Sequence, residues 1–130
     1  MHIKDKEPWP VKQRYYDRRR EWHPFVLGPL AGHTNQITWT EKAGGELRVE
    51  VYLDFVLVPT DQSVQVVYDM RFFEGATENT NDLEDQKGGS VIIKKDRPAS
   101  IDVTLRNRGT GGGDRARVRF QLVNAVETNV

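Results

Sequence analysis

Between Leu47 and Leu57 the chain alternates strictly: Leu47, Val49, Val51, Leu53, Phe55 and Leu57 are apolar, with Arg48, Glu50, Tyr52 and Asp54 set between them. Successive side chains of a strand point to opposite faces, so this pattern describes a long strand with one face in a core and the other in water. The pattern recurs downstream in Val64, Val66, Tyr68, Met70 and Phe72, in Ile101, Val103 and Leu105, and in Val118, Phe120 and Leu122. Turn-forming stretches separate the runs: Glu41 to Gly45, Pro59 to Gln62, Asp96 to Pro98, and the glycine-rich Asn107 to Asp114. No helical pattern long enough for a parallel crossover lies between them. The expected fold is therefore all-β, an antiparallel β-sandwich of Greek-key or jelly-roll type with six or seven strands, a barrel being the next choice. The strand over 63–74 carries apolar groups on both faces, at Val67 and Phe73, which places it centrally.

Two stretches depart from the alternation. Residues 1–32 are charged, aromatic and broken by Pro8, Pro10, Pro24 and Pro29. They read as an N-terminal arm holding at most one short helix, with Val11, Tyr15 and Trp22 on one stripe and Pro24 as its stop. The run from Pro24 to Leu30 follows as an apolar strap. A single sandwich domain then covers 33–126 and a tail 127–130. Inside the domain, Glu74 to Gly89 offers almost nothing to bury and reads as a long polar loop, a length seldom seen in compact domains without a role.

Composition excludes several classes. With no cysteine there is no disulfide scaffold, cysteine zinc site or thiol catalysis. The apolar runs are too short for a signal peptide or a transmembrane helix, so the chain is expected to be soluble, and cytoplasmic unless a leader is removed or export is non-classical. Nineteen basic residues balance 19 acidic ones, which argues against nucleic acid as a partner. The charges are unevenly placed: residues 74–86 carry five acids and no base, whereas residues 94–119 carry eight bases and three acids.

The chemistry-bearing candidates follow from these segments. Glu78, Asn81, Asp82, Glu84 and Asp85 supply the hard oxygens that calcium prefers, although the EF-hand order is missing. Arg108 to Asp114 lacks both the dinucleotide and the phosphate-loop spacings, and a strand rather than a helix follows it. His2, His23 and His33 have no third ligand at a diagnostic spacing, and no serine stands in a nucleophile elbow. Arg115, Arg117 and Arg119 alternate, so they share one sheet face. Arg18, Arg19 and Arg20, with the hydrophobic anchors Trp9, Trp22 and Phe25, form the second candidate contact set. The expected function is non-enzymatic: an assembly subunit or docking module working through protein contact or self-association, with no cofactor. A calcium-assisted carbohydrate- or lipid-binding module is the alternative; among the tyrosines, Tyr52 is the one expected to face outward from a strand.

Overall fold

A computed structural model of the chain describes residues 1–5, 14–22, 34–107 and 113–125. Eight strands are present among them: β1 (His2–Asp5), β2 (Arg14–Asp17), β3 (Thr34–Ala43), β4 (Leu47–Val58), β5 (Ser63–Glu74), β6 (Leu83–Ile93), β7 (Pro98–Arg106) and β8 (Arg115–Val123). They form two four-stranded sheets packed as a sandwich. One, the meander sheet, has the order β3-β4-β5-β6; the other, the terminal sheet, has the order β2-β1-β8-β7. Every pairing is antiparallel. In the terminal sheet β1 is joined to β8, with His2 opposite Arg117 and Lys4 opposite Arg115.

The alternating residues meet in one core. Leu47, Val49, Val51, Leu53 and Phe55 of β4 are buried with Val64, Val66, Met70 and Phe72 of β5, facing Ile3, Ile101, Val103, Leu105, Ala116, Val118 and Phe120 of the opposite sheet. Full burial of a Leu, Phe or Met side chain contributes about 1.5–3 kcal/mol, so the β4–β5 pair anchors the molecule. At one place Trp22 packs against Trp39 and Phe120, with ring centroids 5.5 and 5.8 Å away. The β3–β4 connection is three residues long, with Ala43 opposite Leu47. Gly44 and Gly45 take positive φ there, at 64° and 80°, a conformation glycine adopts without steric cost. A side chain at Gly44 would also collide with the buried carboxylate of Asp5.

The structure corrects three expectations. Residues Arg14–Asp17 form a strand, not part of a helix. Tyr15 and Tyr16 then alternate outward and inward, and pairing with β1 replaces a helical stripe that Arg18 would have spoiled. The long polar loop is half as long as expected, because β6 begins at Leu83. Its charged first half is held by pairing with β5, and a register shift opposite Phe72 and Phe73 marks a bulge there. Charge and a bulge are usual on an edge strand, where both discourage pairing with other chains. With β1 and β2 the strands number eight rather than six or seven. β5 is central, as read. The Val11–Gln13 part of the expected helix, the strap over 24–30, His23, His33, the hairpin tip over 108–112 and the tail lie outside the described residues.

Candidate functional site

The outer face of the terminal sheet is built by register. On β8, Ala116, Val118 and Phe120 turn into the core, which sends Arg115, Arg117 and Arg119 outward and exposed. Pairing then brings residues from three other strands beside them. Tyr15, Lys4, Arg115 and Arg106 occupy one cross-strand row running over β2, β1, β8 and β7. The next row holds Asp17, His2, Arg117 and Thr104. With neighbouring strands about 4.8 Å apart, each row spans roughly three such steps.

Ion pairing divides this face. Asp102, opposite Arg119 on β7, accepts two hydrogen bonds from Arg117, at 3.0 Å from Nε and 2.6 Å from Nη2, and lies 3.7 Å from Arg119 Nε. Hydrogen bonding to Arg117 holds the Asp102 carboxyl below the usual carboxylate range and raises the guanidinium correspondingly. His2 pairs with Asp17 at 2.5 Å and stacks on Tyr15. Among the described residues, Lys4, Arg106 and Arg115 form no ion pair. Like charges directly opposite one another in a sheet are destabilising, so this row carries unrelieved repulsion.

The opposite outer face, on the meander sheet, is satisfied internally. Arg48 bonds Glu50 at 2.9 Å and lies over the Phe73 ring at 4.2 Å, and Tyr52 Oη donates to Glu50. That hydrogen bond raises the Tyr52 phenol. Arg71 bonds Asp69 and lies over Tyr52, and Gln86 Nε2 donates to the same Asp69.

The other expected site residues are dispersed. Arg18 exchanges backbone hydrogen bonds with Met1 and reaches Glu41 of β3 at 3.5 Å, Arg19 pairs with exposed Glu21, and Arg20 lies over Trp22. Trp22 itself is turned into the aromatic core. Trp9 and Phe25 lie outside the described residues. In the acidic segment, Glu78 Oε1 accepts from the Gly45 amide and the Glu78 carbonyl from Arg48, while the Asp82 carbonyl accepts from the Glu74 amide. Asp85 accepts from the amides of Gln86 and Arg106. Glu84 stands beside Asp85 at the β6 bulge and Asn81 is exposed. The Glu78 and Asp85 carboxylates accept from backbone amides, and among the described residues no three His, Asp or Glu side chains are grouped to hold a metal ion.

Two features escaped the sequence. Glu74, at the end of β5, hydrogen-bonds Asp114, which is buried just before β8, and accepts from Asn107 Nδ2. Burial and the neighbouring Asp114 carboxyl push Glu74 up to about 8, so Glu74 holds its proton at neutral pH, and the contact ties the end of β5 to the β7–β8 hairpin. The second is an open groove of about 520 Å³ where β6 meets β7, between Tyr68, Lys87, Gly88 and Thr104. Lys87 Nζ donates across it to the Thr104 carbonyl. Either would have required knowing which strand ends meet, which no local pattern carries.

No protein-family model, curated protein or solved structure matches the chain. No helix among the described residues is long and apolar enough to cross a membrane. Fold and site together define a two-sheet β-sandwich with one self-paired outer face and one cationic outer face.

Proposed function

We propose that the protein is a non-enzymatic docking module that receives an acidic segment of a protein partner on the outer face of its terminal sheet. The observation that carries this reading is the row of Lys4, Arg115 and Arg106, three cations at neighbouring cross-strand positions with no ion pair among the described residues. An acidic partner relieves their repulsion and gains about 0.2–1 kcal/mol per exposed pair. Arginine suits the task because its planar fork matches a carboxylate. Charge complementarity of this kind accelerates encounter and fixes orientation more than it adds affinity. Binding is therefore expected to be weak to moderate and to fade with salt.

The test is fluorescence anisotropy with a labelled hexaglutamate peptide at low and at physiological ionic strength. The expected result is salt-sensitive binding that drops at least about tenfold in a K4E/R106E/R115E variant whose melting curve matches the parent. Equal binding by the variant would overturn the reading. A single-stranded oligonucleotide of matched charge binding more tightly than the peptide would replace it with a nucleic-acid interface.

A further inference from the structure

The arrangement of this row bears on the chemistry of the anion it would receive. Asp102 shows, on the same face, what one carboxylate can satisfy. Both of its oxygens are taken by Arg117, at 3.0 and 2.6 Å, and Arg119 is left at 3.7 Å. A carboxylate is thus used up by one guanidinium and a distant second. The neighbouring row presents three cations, Lys4, Arg115 and Arg106, on three adjacent strands. Their Cα atoms span about two strand spacings, roughly 9.6 Å, and their side chains are long enough to converge above Arg115. A group that answers three cations at one point needs more charge and more acceptors than a carboxylate has. A phosphate monoester carries a charge of about −1.5 to −2 near neutral pH and three acceptor oxygens, and arginine forks bind it bidentately.

The geometry points to a phosphorylated residue of the partner, its phosphate held by Lys4, Arg106 and Arg115, as the group this row receives. The inference rests on the docking reading above and specifies it. Tyr15, 54% exposed at the β2 end of the same row, offers an apolar ring beside the anion for the flanking chain. At the other end, the Arg106 amide donates to Asp85, which fixes the backbone from which that guanidinium extends.

The experiment compares three labelled peptides of one acidic sequence with phosphoserine, glutamate or serine at the centre, titrated by anisotropy into the full chain. The phosphoserine peptide is expected to bind at least tenfold more tightly than the glutamate peptide. That gain should shrink between pH 7.5 and 5.5, as the phosphate takes up its second proton near pH 6, and should vanish in R115A. Identical melting curves for R115A and the parent separate lost recognition from lost folding. If phosphoserine and glutamate bind equally, the phosphate assignment is overturned while docking of acidic segments stands. If no peptide binds, both fall. Inorganic phosphate displacing the phosphopeptide at low millimolar concentration supports the assignment, whereas a phosphorylated oligonucleotide or phosphoinositide vesicle binding more tightly than the phosphopeptide overturns it.

Discussion

The two outer faces of the sandwich carry the same kind of side chain and put it to different use. On the meander sheet, Arg48 and Arg71 each have a carboxylate two residues away on their own strand, Glu50 and Asp69, and an aromatic ring beneath. On the terminal sheet two arginines share the single Asp102, and the adjoining cationic row has no acid of its own among the described residues. Arginine on a strand is thus tied into the structure where a carboxylate sits at i ± 2, and is left for the proposed recognition role where cross-strand register sets it against other cations. Local sequence decides the first case and topology decides the second.

The sharpest way to break this comparison is to remove one arginine from each face. Arg48 is 9% exposed, stacks on Phe73 and donates to the Glu78 carbonyl. Its replacement by alanine should cost about 2 kcal/mol by leaving Glu50 without its cation and that carbonyl without a donor. Arg115→Ala, on an exposed and repulsive row, should change urea stability by less than about 0.5 kcal/mol. Equal losses would mean that both faces are structural.

Titration separates the two regions next, with opposite signs. Glu74 ionises near its ordinary 4.5 when unfolded but holds its proton to about 8 when folded. The folded state therefore binds more protons between those values, and its stability falls as pH rises through that window. Asp102 is held below its ordinary range by Arg117, so its contribution is present above the ordinary aspartate value and is lost as pH falls through the depressed one. Urea midpoints from pH 4.5 to 8.5 should decline in the parent and decline less in Glu74→Gln. Parallel curves would remove Glu74 as the cause.

The smallest stability effect is expected at Asp102 itself. Asp102→Ala removes an exposed, solvent-screened pair and should leave the urea midpoint close to that of the parent. It also frees Arg117 and Arg119, so acidic-peptide affinity should rise a few-fold. Unchanged affinity would confine the docking surface to the Lys4, Arg115 and Arg106 row.

The core was legible because period-two alternation is a direct image of one buried face, and Leu47 through Phe55 lie where that pattern puts them. The arginine stripe of β8 was legible for the same reason. Arg106 could be set beside it across the β7–β8 hairpin, but Lys4 could not, since it joins Arg115 through a pairing with β1 that no local spacing encodes. The first half of β6 looked like loop because an edge strand tolerates charge on both sides, and Tyr15 fitted a helical stripe with Val11 and Trp22 until β1 was there to pair with it.

The placement of β1 against β8 also sets an order of events. The meander sheet is made of hairpins between sequence neighbours and gains each strand as it emerges. The terminal sheet closes only when β1 meets β8, a contact of large sequence separation that is slow to form. During synthesis the β1–β2 pair must wait for β8 before it can join the rest of its sheet. The cationic row is therefore completed after the meander sheet, and the surface through which this protein is proposed to act comes into being only once β1 has found β8.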